Sequence, residues 1–212
     1  MRHAEVRYFD GVQSEHVVLT ENGRTQADAA AGALREVAFD RVVTSGLTRT
    51  LQTARIVAPG LEPEERYGLR EIESGDIREL APHEVQRMMT AAFRGVVPLD
   101  TRFLGGERIG EFIGRVLQEI DALLGDDDWD LALLVLHGAV NRAILSYALT
   151  GERTFLGGFE QSPGCINVLD VGVDGRWIVR GVNFVPYDPV QVRAPRLTTM
   201  EHLWQEYEDS RA

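Results

Sequence analysis

Cysteine is nearly absent from this 212-residue chain: Cys165 stands alone, so no intrachain disulfide can form and a Cys-based metal site has no second thiolate. Its plain reading is a small buried side chain. Long apolar runs are lacking too, since nothing approaches the ~18 to 20 residues that span a bilayer, and the first residues are too polar for a secretory leader. A cytoplasmic protein with no membrane partner is expected. Basic residues are scarce, 22 against 33 acidic ones, for a formal charge of −11. The molecule as a whole repels nucleic acid, and any anion it binds must be held by a local cluster of Arg and His. No repeat, low-complexity tract or Pro/Gly/Ser linker divides the chain. Its 44% apolar content suits one sizeable core.

The periodicities present are those of alternating helices and strands. In "LTENGRTQADAAAGALREV", Thr20 can cap a helix whose Ala and Leu positions recur at helical spacing. "FDRVVTSG" reads as a buried strand ending at Ser45-Gly46, and "LTRTLQTARIVA" as a helix closed by Pro59 and Gly60. "REIESGDIRELAPHEVQRMM" is a loop running into a helix, with Pro82 suited to the first turn. "GERIGEFIGRVLQEIDALLG" is strongly amphipathic, with Ile109, Phe112, Ile113, Val116, Leu117, Ile120 and Leu123 or Leu124 on one stripe. "LALLVLHG" is apolar without alternation, as a central strand covered on both faces is. "AVNRAILSYAL" returns as a helix, and "INVLDVGV" and "RWIVRGVNFV" form a hairpin about Asp174-Gly175. The expectation is an α/β fold: a mostly parallel central sheet with helices on both faces, a three-layer sandwich.

Ligands of open α/β sheets bind beyond the carboxyl ends of the strands. Two strands end suggestively, one on Ser45, a helical turn before Arg49, and the other on His137-Gly138. A strand preceding Arg2-His3 would bring two histidines and two arginines into one crevice. That inventory suits a phosphate. A neutral imidazole can attack phosphorus, Arg forks and a second His can stabilise the equatorial oxygens, and a carboxylic acid can protonate the departing alkoxide. Glu71 and Glu73 lie in a loop able to overhang the crevice. Each residue also has a plainer role open to it: His3 as a surface residue, His137 as a satisfied core histidine, Arg49 in an ordinary salt bridge, Glu71 as a loop carboxylate. The acidic run Asp126 to Asp128 precedes the central strand, at the wrong end of the sheet for catalysis, and reads as a solvated turn.

Taken in order, these segments resemble the histidine phosphatase superfamily, which includes cofactor-dependent phosphoglycerate mutases and many small phosphatases. "RHAE" is similar to the RHG motif, with Ala4 in place of glycine, and "TSGLTRTLQTA" to the segment with the second phosphate arginine. "LREIESGD" resembles the acid loop, "LGGERIGEFIGRV" the Gly-Gly-Glu start of a helix, and "LLVLHGAVNRAIL" the segment with the second histidine. The resemblance implies a phosphoglycerate mutase-like fold over residues 1–190, followed by a helical tail at residues 191–212. It makes His3 the phosphorylated nucleophile, Arg2, Arg49 and His137 the phosphate pocket, and Glu71 the proton donor and later base. It implies no metal and no cofactor.

Departures qualify the match. Val6 and Phe9 stand where the mutases carry Ser or Thr and then Asn, and Arg78-Glu79 replaces a pair often found in the acid loop. No long insert of the kind that closes over substrate in mutases is expected between Glu79 and Gly105, which favours water over phosphoryl return. The expected activity is metal-independent hydrolysis of a small phosphorylated metabolite, with a mutase-like isomerase and a catalytically dead phospho-ligand binder as rivals. Asn167 and Asn183 are expected to be structural, and the tail, with Met200, Leu203, Trp204 and Tyr207 at helical spacing, to be a docking helix or homodimer contact. Only Met1 precedes the Arg-His pair, so the first central strand is expected to be truncated, with the natural start upstream.

Overall fold

The computed structural model describes residues 1–9, 13–77, 80–192 and 197–211. Thr20 caps α1 (Glu21–Leu34), its hydroxyl accepting from the Gly23 N–H at 2.9 Å. Gly23 is required there: a Cβ would stand 2.2 Å from the Glu5 carbonyl oxygen. β1 (Arg41–Thr44) follows and leads into α2 (Thr48–Val57). β2 is the two-residue strand Glu64–Glu65, and α3 (Pro82–Ala91) carries Pro82 in its first turn, as expected. α4 (Ile109–Leu124) buries the predicted stripe from Ile109 to Leu123. β3 (Ala132–Val135) and α5 (Gly138–Thr150) complete the central unit.

β1 lies between β2 and β3, parallel to both, with Val43 opposite Glu64 and Leu134. Successive strand residues point to opposite faces. Val43, with Leu136 just past β3, packs against α4 and α5, while Val42, Leu133 and Val135 pack with Ala27, Ala30, Ala54 and Val57 of α1 and α2. Helices therefore cover both faces, as the apolar run at β3 foretold. Fully buried Phe112, Ile113 and Leu136 contribute roughly 1.5 to 3 kcal/mol each.

The predicted hairpin is β4 (Ile166–Val171) and β5 (Trp177–Phe184), antiparallel, with Gly175 at φ 74° in the turn. It forms a sheet of its own. Between the two sheets runs Met1 to His3, and in place of a strand there is a single parallel bridge, Arg2 to Leu136. The Met1 and Arg2 nitrogens donate to Leu134 at 2.5 Å and Cys165 at 3.0 Å, and the His3 nitrogen to Leu136 at 2.8 Å. Three residues thus bind both neighbours.

α6 (Thr199–Asp209) docks on α3: Met200, Trp204 and Tyr207 bury against Val85 and Met89, with Phe9 and Leu104 alongside. The Asp126 to Asp128 turn is ion-paired as well as exposed. Asp126 and Asp128 accept from Arg41 at 2.6 and 2.7 Å, at the amino end of β1 and ahead of β3, away from their carboxyl ends. Among the described residues no helix is long and apolar enough to cross a membrane. The Arg78-Glu79 departure lies outside the described residues.

Candidate active site

Ser45 directly follows β1, His137 lies just past β3 as the N-cap of α5, and Arg2-His3 runs beside Leu136, so three chain segments meet at the carboxyl ends of the strands. Arg49 joins them from the first turn of α2. The His3 and His137 rings meet edge to face with centroids 5.2 Å apart, both fully buried.

The tautomer of His3 follows from its contacts. Nδ1 lies 2.7 Å from the Ala4 carbonyl oxygen, which can only accept, so Nδ1 carries the proton and Nε2 keeps its lone pair. Burial, followed by the charges of Arg49 and Arg2, holds the His3 pKa well below its ordinary value. His3 is therefore neutral at pH 7, with a free-electron nitrogen suited to attack phosphorus. Ala4, the departure from RHG, is buried among the residues facing α1 and α2, and its N–H donates to Thr53 Oγ1 at 3.1 Å. Glu5 ties the motif to α1, accepting from Thr20 Oγ1 and Asn22 Nδ2 at 2.7 Å each.

His137 shares 2.7 Å with Ser45 Oγ through Nε2, and its buried Nδ1 has no partner among the described residues. Burial and then Arg49 depress its pKa well below the usual value. If the Ser45 hydroxyl donates to Nε2, Nδ1 is left as a donor directed to the site. Arg2 is held through NH1 by the Gln161 carbonyl at 2.6 Å, and Arg49 through NH1 by that of Ser14 at 2.7 Å. Their Nε atoms are buried without partners among the described residues. Gln161 is in turn fixed by Asn141 and Asn167, while Asn183 accepts from the Ser162 N–H, so both Asn167 and Asn183 are structural.

Glu71 is placed by a network that begins in the Gly-Gly-Glu segment. Gly106 lies so close to the acid loop that a Cβ would stand 2.3 Å from the Glu73 carbonyl oxygen. Next to it, Glu107 takes both Nε and NH2 of Arg115, at 2.7 and 2.8 Å. Arg115 then donates to the carbonyls of Gly68, Arg70 and Glu71 at 2.7, 2.8 and 3.2 Å. Held this way, the Glu71 carboxylate accepts from the Ala139 N–H at 3.1 Å, at the start of α5. Of the predicted residues, Arg2 and Glu71 thus approach one point, with Arg2 Nε and Glu71 Oε2 3.8 and 3.7 Å from where a Gly138 Cβ would lie.

Above them opens a cleft of about 1490 Å³ lined by Arg2, Arg49 and Glu71. Three of its features escaped the sequence reading. Tyr8 places its hydroxyl 3.2 Å from His3 Nε2, with Arg49 over its ring at 5.5 Å. Arg142, a further arginine one turn into α5, lines the cleft next to Phe93. α6 forms a wall through Thr199, Met200, Leu203 and Glu206, and Glu206 accepts from the Tyr8 N–H at 2.5 Å. Tyr8 and Arg142 left no signal because aromatic and basic residues recur at many positions. Only their neighbours distinguish them.

A buried neutral imidazole near Arg Nε and His Nδ1 donors that lack partners among the described residues, with a carboxylate beside them, is an arrangement chemically able to hold and transfer a phosphoryl group. The chain belongs to the histidine phosphatase superfamily (branch 1), whose sequence profile it matches over residues 1–184. Its class is that of phosphomonoesterases. It is 29% identical over 183 residues to an adenosylcobalamin/alpha-ribazole phosphatase of Salmonella typhimurium, covering 81% of this chain and 88% of that protein. A probable phosphoglycerate mutase of Yersinia enterocolitica is 32% identical over 141 residues, 62% of this chain and 63% of its own length. Among solved structures, the alpha-ribazole phosphatase of Shigella flexneri superimposes with a TM-score of 0.67 at 25% identity, over 86% of this chain and 94% of that one.

Proposed function

We propose that this chain hydrolyses small phosphomonoesters without metal, through a phosphohistidine at His3 Nε2. The observation that carries the reading is the set of buried donors lacking partners among the described residues, Arg2 Nε, Arg49 Nε and His137 Nδ1, beside an imidazole kept neutral by burial. Buried donors without acceptors are costly, and three oxygens of a phosphoryl group would satisfy them.

In this mechanism Nε2 attacks phosphorus as the bond to the ester oxygen breaks, and the arginines and His137 hold the equatorial oxygens. Glu71 gives its proton to the departing alcohol. Water then attacks the phosphohistidine with Glu71 as base, releasing inorganic phosphate and restoring His3. The alpha-ribazole and 2-carboxy-D-arabinitol-1-phosphatase relatives support a small metabolite as substrate. The open cleft favours water as the acceptor over return of the phosphoryl group to a sugar acid. We also propose a cytoplasmic location, on composition alone.

The test is phosphate release from p-nitrophenyl phosphate by the wild type and His3→Ala, with and without chelator. Chelator-resistant turnover lost in His3→Ala is expected. Equal rates in the two proteins would remove His3 from the mechanism, and chelator sensitivity would remove its metal independence. Isomerisation of 3-phosphoglycerate with its bisphosphate primer, outrunning phosphate release, would favour the mutase reading.

A further inference from the structure

Arg142 is buried, yet its guanidinium makes no hydrogen bond or ion pair among the described residues. Three other arginines of the cleft have fixed partners: Arg2 has Gln161, Arg49 has Ser14 and Arg70 has Glu15. Arg142 instead lies over the Phe93 ring, its Cζ 5.0 Å from the centroid, which fixes its plane without satisfying its donors. Glu160 and then Glu71 are the carboxylates that favour its charge, but neither hydrogen-bonds it: Glu160 is occupied with the hydroxyl and N–H of Thr199, and Glu71 with the Ala139 N–H. Burial lowers the Arg142 pKa to about 10, so it remains a cation at pH 7. A buried cation of this kind is stable only with an anion to meet it.

Its position says where that anion belongs. Arg142 NH1 stands 3.2 Å from the Cβ point of Gly138, the same point that Glu71 Oε2 approaches at 3.7 Å and Arg2 Nε at 3.8 Å. Arg142 therefore lies beside both Arg2 and Glu71, where the proposed mechanism brings the phosphoryl group and its leaving alcohol together. We infer that Arg142 anchors a second anionic group, a carboxylate or phosphate, carried by the leaving alcohol close to the ester oxygen. The inference rests on the phosphomonoesterase reading and adds to it a substrate class: esters whose alcohol is itself an anion. Arg142 acts here as a specificity-determining residue, with Phe93 holding its fork toward the cleft.

Two probes differ only in this feature. Phosphoglycolate carries a carboxylate where ethyl phosphate carries a methyl group, next to the same ester methylene. Binding is measured by calorimetry in a His3→Ala background, so that turnover plays no part. The expected result is at least a tenfold preference for phosphoglycolate, the effect of one charge-assisted hydrogen bond. Arg142→Gln should reduce that preference to threefold or less while ethyl phosphate binds as before, and Arg142→Lys should retain part of it. A preference below threefold with Arg142 in place overturns the inference without any variant of that residue. Equal weakening of both probes by Arg142→Gln also overturns it, by making Arg142 part of the phosphoryl pocket. Failure of hydrolysis with the preference intact would instead strike the proposed function alone.

Discussion

The Tyr8 hydroxyl stands 3.2 Å from Nε2 of His3 and, because Nδ1 of that ring donates to Ala4, it is the tyrosine that donates to the nucleophilic lone pair. The atom assigned to attack phosphorus is thus covered by that hydroxyl. Tyr8 is in turn held through its backbone N–H by Glu206 of α6. Breaking the cover costs about the net value of one hydrogen bond, 0.5 to 1.5 kcal/mol. Tyr8→Phe should therefore raise kcat/KM for p-nitrophenyl phosphate about two- to tenfold. Steady-state kinetics decide it: a fall would mean that the hydroxyl serves bound substrate rather than masking His3.

The ease with which these residues are found differs for physical reasons. Arg49 and His137 follow strand ends at the opening of a helix, and the strands betray themselves by apolar runs such as Leu131 to Leu136. Helix signals were equally local, in the Thr20 cap and in the stripe from Ile109 to Leu123. What stayed hidden depends on long-range contact. Tyr8 meets Glu206 across most of the chain, and α6 reads as an amphipathic tail whose partner, α3, no local pattern reveals. Arg142 lies one turn beyond His137, but only its want of a partner in three dimensions sets it apart. Arg2 bridges to Leu136 and hydrogen-bonds Cys165, contacts far along the chain that no local pattern reveals.

Ser45 governs the other histidine. Its hydroxyl lies 2.7 Å from His137 Nε2, while Thr50 spends its own proton on the Leu47 carbonyl. With Ser45 donating, His137 presents Nδ1–H to the phosphoryl group. Ser45→Ala should lower kcat/KM about tenfold by releasing that tautomer. Loss of one buried hydrogen bond, about 1 kcal/mol, should also lower Tm by roughly 2 to 4 °C. A loss of stability with unchanged kinetics would make the contact structural only.

Glu71 and Arg115 should separate acid chemistry from its positioning. Glu71→Gln is expected to cost on the order of 10² or more in kcat on alkyl phosphates and much less on aryl ones, because a phenolate leaves with less help. Arg115→Gln keeps the carboxylic acid but releases the carbonyls of Gly68, Arg70 and Glu71. The same alkyl-selective loss, only smaller, is expected, with partial recovery in Arg115→Lys. Equal losses on both substrates in Glu71→Gln would remove Glu71 as proton donor.

The two buried histidines also set how stability responds to acid. Both have folded pKa values held below the ordinary 6.5, mainly by burial and then by Arg49. As pH falls through 6.5 the unfolded chain takes up protons that the folded one refuses, so unfolding becomes easier. The loss runs at up to about 1.4 kcal/mol per pH unit for each histidine and levels off below their folded pKa values. Asp40, Asp126 and Glu201, whose pKa values are lowered by hydrogen bonds, act in the same direction but only below their ordinary 3.8 to 4.5. The buried Met1 amino group, its pKa lowered by burial from 8.0 to about 6, adds to the same fall. Urea midpoints at pH 7.5 and 5.5 should therefore fall with acid, and His137→Asn should flatten the fall by removing one contributor. Equal midpoints at the two pH values would mean that these imidazoles accept protons in the folded protein, which would also take His3 out of the neutral state its attack on phosphorus needs.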